Sequence, residues 1–171
     1  MRNVLIVTLM TLALAASGAR ADSGSDPLSD VGFRGWGPRV GLTLNPAPDQ
    51  VHFGAHLDFG NFARHVRFQP NLEMGFGDDE MLVTANFEAA YRFRQTWDVW
   101  SPYVGGGLGL NYRRDDNSKS GDDTSTGLGV NALGGIERGL SSGNRFFAEV
   151  KLGLVDESPD VKAAVGWTFY H

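Results

Sequence analysis

The sequence has no cysteine, and nowhere does it run through 18 consecutive apolar residues. The first absence excludes a disulfide scaffold, cysteine-ligated metal sites and attachment of a lipid at an amino-terminal cysteine. The second excludes a transmembrane helix, which needs ~20 such residues. Positive charge is also scarce, with 15 Lys+Arg against 20 Asp+Glu. An acidic chain is a poor binder of nucleic acid. Histidine occurs four times, which narrows the chemistry that relies on imidazole. A membrane protein of this composition, with a mean hydropathy of −0.21, cannot cross with helices.

The amino terminus reads as an export signal. Arg2 is followed by the apolar "VLIVTLMTLALAA" at 4–16, and "ARA" at 19–21 offers the small-x-small pattern of signal peptidase cleavage after Ala21. Its roughly 13 apolar residues fall short of a membrane span. Removing Arg2 and Arg20 leaves 150 residues with 13 Lys+Arg and 20 Asp+Glu, a formal charge of −7. Residues 22–36, rich in Gly, Ser, Asp and Pro, read as a flexible lead-in. The domain proper is then 37–171.

What remains alternates with period two. Strands are expected at about 38–45, 51–60, 63–76, 81–94, 100–114, 126–138, 145–155 and 161–171. In the second, Phe53, Ala55, Leu57 and Phe59 oppose His52, Gly54, His56 and Asp58. In the fourth, Val83, Ala85, Phe87, Ala89 and Tyr91 oppose Thr84, Asn86, Glu88 and Arg92. The last strand sets Ala163, Val165, Trp167 and Phe169 against Lys162, Ala164, Gly166, Thr168 and Tyr170.

Alternation alone does not say which face is buried. A soluble sandwich or lipocalin turns the apolar face inward; a membrane barrel turns it to lipid and fills the lumen with polar groups. Strands of 10–14 residues match the ~9–11 that a tilted strand needs to cross hydrocarbon. The polar rows mix both signs of charge with amides, as a desolvated, cross-paired interior requires. Aromatics gather near strand ends, as in an interfacial girdle: Phe59 and Phe62, Phe93, Trp97 and Trp100, Trp167 and Phe169.

The connections add an asymmetry. The odd ones ("PAPDQ", "GDDE", "RDDNSKSGDDTST", "DESPD") hold 11 of the 20 acids, and the even ones ("GNFA", "QTWDVW", "GLSSG") only Asp98. An even-stranded barrel inserted from the periplasm keeps both termini inside and its long loops outside. Pairing the second and third strands about a 61–62 turn sets Leu57 opposite Val66, Ala55 opposite Phe68, and Asp58 beside His65. A one-residue slip would oppose apolar to polar at every rung.

On this strand count, loop asymmetry and final strand, the chain resembles the small eight-stranded outer-membrane barrels of Gram-negative bacteria, the OmpA/OmpX-type superfamily, over most of 37–171. The resemblance implies an all-β, eight-stranded antiparallel up-and-down transmembrane barrel in the outer membrane. It also implies a porin-like, monomeric protein whose partners are outer-membrane lipid, lipopolysaccharide and, during biogenesis, the barrel-assembly machinery. In that family the last strand carries the assembly signal, to which Gly166 and Phe169 correspond here. The final position holds His171 instead of the usual aromatic.

Candidate chemistry is thin. His52 and His56 share a face but lie ~13 Å apart along a strand, too far to ligate one ion. His65 with Asp58 forms part of a hydrolase dyad, but no serine in 52–76 supplies a nucleophile. The outward serines Ser118, Ser120, Ser125 and Ser158 have no histidine in their connections, so a lipid A-modifying acyltransferase or deacylase is the alternative, not the first reading. No catalytic, cofactor or metal site is expected. Eight strands enclose a lumen that side chains just fill. Arg67, Glu73, Glu88, Arg92, Glu149 and Lys151 are therefore expected to close it with salt bridges. The glycines of "VGGGLGLN" and "GLGVNALGG" keep a small-solute channel open, unless they serve curvature. The acidic loop around Asp115, Asp116, Asp122 and Asp123 lacks EF-hand spacing. It reads as solvated surface, with divalent bridging to lipopolysaccharide phosphates as a second possibility. The expectation is a barrel with a structural or surface-interaction role.

Overall fold

The computed structural model describes residues 31–44, 48–77, 80–115, 123–155 and 161–171. The expected export signal, most of the lead-in and much of the acidic connections lie outside these residues. Nine strands follow one another: β1 Val31–Leu44, β2 Pro48–Ala63, β3 Val66–Phe68, β4 Asn71–Gly77, β5 Glu80–Arg92, β6 Ser101–Asp115, β7 Asp123–Gly139, β8 Arg145–Gly153 and β9 Val161–Tyr170. All pairings are antiparallel, and apart from β3 and β4 each strand pairs with its successor. β1 joins both β2 and β9, which closes the sheet on itself. β3 and β4 are two segments of one stave, because proline has no N–H to give the ladder. Around Pro70 the pairing is carried by Gln69 N–H to Glu88 O and Leu57 N–H to Pro70 O, both 2.9 Å. The barrel therefore has eight staves.

Alternation places the side chains as a membrane barrel requires. Outside, Leu128 is 69% exposed, Leu108 60% and Phe53 56%. Inside, Glu73 is 1% exposed, Arg39 2% and Lys151 5%. Apolar groups out and ions in is the reverse of a soluble core. Among the described residues no helix is long and apolar enough to cross a membrane.

Three boundaries differ from the sequence expectation. β1 begins at Val31, so 31–36 of the expected lead-in is strand: Gly35 pairs Asp58 and Tyr170, and Trp36 packs on Phe169 at 6.0 Å. Glycine and proline content hid an edge that two neighbours complete. The β2 hairpin turns at Arg64–His65, not 61–62. Gly60 (φ 73°) is a bulge whose N–H is held by Asp58 Oδ1 at 2.8 Å, and His65 (φ 64°) takes the left-handed turn position. The register accordingly sets Ala55 against Leu72 and Ala63 against Val66. The displacements, four residues at Ala55 and six at Val66, are even, so Val66, Phe68 and Leu72 keep the outward face. The connection expected at 114–126 is shorter, since the β6–β7 ladder continues to Asp115 opposite Asp123.

Aromatics concentrate at the end that carries the termini. Phe146 meets Trp167 at 4.9 Å and Trp100 at 6.1 Å, Phe59 meets Phe33 and Phe68, and Tyr91 meets Phe93 at 5.4 Å. The 93–100 connection ends in a tight pair in which Trp97 and Trp100 exchange backbone hydrogen bonds (2.8 and 3.0 Å) about Asp98 (φ 58°). At the opposite end Phe76 and Tyr112 are the outward aromatics nearest the strand tips among the described residues.

Leu108 lies mid-strand between Phe87 and Val130. Leu108→Arg should cost about 2–4 kcal/mol of folding free energy in lipid vesicles, measured by denaturant titration of the gel-shifted folded band. Thr84→Ser, inside, should cost far less.

Candidate functional site

The lumen is the place where charged side chains converge, and it is filled by two ion clusters. The first lies at mid-barrel. Arg39 on β1 reaches Glu73 (Nε–Oε1 3.0 Å), Glu88 (3.7 Å) and Glu149 (2.5 Å), on β4, β5 and β8. Lys151 on β8 reaches Glu88 (2.5 Å), Glu73 (3.0 Å) and Glu149 (3.8 Å), and Lys162 on β9 reaches Glu73 (3.1 Å). Three cations therefore face three carboxylates, and the charges cancel. Neutral donors satisfy remaining lone pairs: Tyr103 O–H donates to Glu149 (3.0 Å), and Asn71 Nδ2 donates to Glu88 (2.7 Å). Asn86 in turn donates to Asn71 (2.9 Å). Such pairing is what makes buried charge tolerable.

The second cluster lies toward the termini. Glu137 on β7 accepts from Arg67 (2.6 Å), Arg145 (3.2 Å) and, at the rim, Arg92 (3.3 Å). Arg145 also reaches Asp58 (3.3 Å), Thr168 (2.7 Å) and Gln69 (3.3 Å). Asp58 accepts from the Tyr170 hydroxyl at 3.0 Å.

Two rings lie between them: Tyr103, whose hydroxyl bonds Glu149 while the Arg67 guanidinium lies 5.5 Å from its centroid, and Phe147. Phe147, 1% exposed, has the Arg39 guanidinium 5.5 Å from its centroid and that of Arg145 at 5.8 Å. His56 meets it edge-on at 5.2 Å while bonding Thr168 through Nε2 at 2.8 Å. Glycines make the room. A Cβ on Gly166 would stand 2.5 Å from Phe147 Cζ, and one on Gly135 2.5 Å from the Tyr103 hydroxyl. These glycines fill the lumen by admitting large neighbours, as small opposite large does in any tight interior. What space remains near Thr84, Asn111, Asn131 and Lys162 is ≈ 20 Å³, enough for about one water.

The six lumen residues singled out in the sequence fall in both clusters. Glu73, Glu88, Glu149 and Lys151 share the first; Arg67 and Arg92 meet through Glu137 in the second, with Arg92 44% exposed at its side chain. Arg39, Glu137, Arg145 and Lys162, which were not singled out although each has lumen parity, and Asp58, read in the sequence only as a partner of His65, complete the clusters. His65 does not approach Asp58: it occupies the turn, its ring against Tyr91 at 6.1 Å. His52 is buried with its Nδ1 3.9 Å from Glu73, and the His171 ring lies 5.8 Å from Phe33. Ser125 pairs Arg113 in the β6–β7 ladder; Ser118, Ser120 and Ser158 lie outside the described residues, as do Asp116 and Asp122. Among the described residues no three His, Cys, Asp or Glu form a metal cluster. Gly166 faces inward against Phe147 and Phe169 outward on Trp36.

A closed eight-stave barrel has solved counterparts. The chain is similar to the N-terminal β-barrel domain of Pseudomonas aeruginosa OprF (TM-score 0.62, 15% identity), over 81% of this chain and 99% of that one. It is also similar to Neisserial surface protein A (TM-score 0.59, 16% identity), over 81% of this chain and 96% of that one. No family model matches the chain, and no curated protein sequence matches it significantly. The likeness is one of fold: the chain has the eight-stranded antiparallel barrel fold of small outer-membrane proteins.

Removing one partner from a buried ion cluster leaves its counter-charge bare, at about 3–5 kcal/mol. Arg39→Met should lose that much, and Arg39→Met with Glu149→Gln markedly less than the two single losses added, in a double-mutant cycle read by urea unfolding. Gly166→Val should displace Phe147 and lower the yield of folded, gel-shifted protein.

Proposed function

We propose that the chain is an outer-membrane protein with a structural or surface-interaction role, its lumen closed by side chains. The observation that carries this reading is the pair of interlocked ion clusters inside a wholly apolar outer band. Every stave spends its inward side chains on filling and neutralising the interior. One of the two solved neighbours carries a surface name, and the barrel fold shared with both supports the same location. The export signal at 1–21 and the assembly signal at Gly166, Phe169 and His171 belong to this reading. So does the placement of the termini on the periplasmic side and of the acidic connections outside. Interaction with lipopolysaccharide and outer partners falls to those connections.

A channel would need a continuous aqueous path, whereas Arg39, Glu73, Glu88, Glu149 and Lys151 meet one another across the middle of the lumen. Purified protein in planar bilayers should give no conductance steps above the empty membrane. Discrete steps that shift in Glu88→Gln would establish a pore instead. Expression should leave the mass of lipid A unchanged; a mass shift abolished by a His or Ser substitution would establish the enzyme. Fractionation should place the chain in the outer membrane with heat-modifiable gel mobility.

A further inference from the structure

On the lipid-facing side an open groove of ≈ 1050 Å³ crosses the staves. Two hydrogen-bonded rows of outward residues define it. One runs Leu42, Ala163, Val150, Gly134, Val104, and the other Val40, Val165, Ala148, Ile136, Pro102. The small members Gly134, Ala148 and Ala163 lower its floor toward the backbone. The first row continues to Tyr91 near the terminal end of β5, although Leu42 is near the opposite tip of β1. The groove is therefore diagonal to the membrane. From β6 through β1 to Val51 on β2 it spans five strand spacings, about 24 Å, against a hydrocarbon leaflet of ~15 Å. A tilted acyl chain fits along it.

On the terminal side it is walled by Phe93, Gln95 and Trp97 of the β5–β6 connection, and a cation lies one row beyond the lining. The next row holds Trp167, Phe146 and Arg138, and Arg138 shares the outward parity of Ile136. The guanidinium lies 5.4 Å over the Trp100 ring, makes no ion pair among the described residues, and leaves Nε without a hydrogen-bond partner. Every lumen arginine found a carboxylate; this outward one, in the aromatic girdle, has none. Girdle aromatics mark headgroup level, where the anion available to an arginine fork is a phosphate.

We propose that this face holds one anionic glycerophospholipid of the inner leaflet, an acyl chain in the groove and its phosphate on Arg138. The proposal rests on the membrane orientation given above. Lipid A does not serve as the occupant, because its phosphates lie at the opposite, acidic end.

The test is native mass spectrometry of the full mature chain released from micelles containing equal phosphatidylglycerol and phosphatidylcholine of identical chains, with heat-modifiable mobility recorded for each sample. Phosphatidylglycerol should be retained about fivefold over phosphatidylcholine, the ratio that one interfacial arginine supplies. Arg138→Gln should bring the ratio to one. Gly134→Leu should reduce retention of both lipids; a Cβ there meets nothing nearer than 3.9 Å, so the barrel accommodates it. Arg64→Gln, on the exposed β2–β3 turn, should leave the ratio unchanged. Equal retention by the wild type, or an Arg64→Gln loss matching that of Arg138→Gln, overturns the lipid site while the gel shift upholds the barrel. A wild type that shows no gel shift overturns the membrane reading itself.

Discussion

A strand that crosses hydrocarbon can leave no backbone N–H or C=O unpaired, because nothing there replaces water. Everything else in this molecule follows from that constraint. It forces β1 to pair with both β2 and β9, and it makes the break at Pro70 tolerable only because neighbouring staves carry the ladder past it. Once the sheet closes, the two faces of each strand meet different solvents. One face must be greasy, and the other must fill a narrow cylinder with groups that satisfy one another.

The interior meets that second demand by local neutrality. Arg39, Lys151 and Lys162 balance Glu73, Glu88 and Glu149, and a separate group gathers on Glu137 and Asp58. Buried ion pairs add little net stability over apolar packing, so their value here lies in geometry. A carboxylate shared by three cations from different staves fixes the relative stagger of those staves, which an apolar filling would leave free to slide. The outward face carries no such instruction, since lipid accepts any greasy contour.

Much of this was legible in the chain. Period-two alternation identified the staves and assigned each side chain to a face, because the pleat leaves no third choice. The division of six lumen ions into two clusters was not legible. Which ions meet across the lumen depends on the stagger accumulated around the barrel, and a single strand does not encode it. Arg39 went unnoticed because Gly37, Pro38 and Gly41 blur the alternation of β1. The β2 turn was misplaced because Gly60 and Asn61 are the residues of a tight turn, whereas here Gly60 serves a bulge held by Asp58. Phe147 breaks the polar-inside rule, and only its glycine partner, a stave away, explains it.

The Phe147 ring has a bearing on how the interior tolerates change through time. It stands between a group of three cations on three carboxylates and a group of three arginines on two carboxylates, so a charge lost on one side is felt first by the neighbours on that side. Substitutions within a group are bound to travel together, while the two groups drift independently. Related barrels would then preserve the partition more faithfully than any one of the ions that compose it.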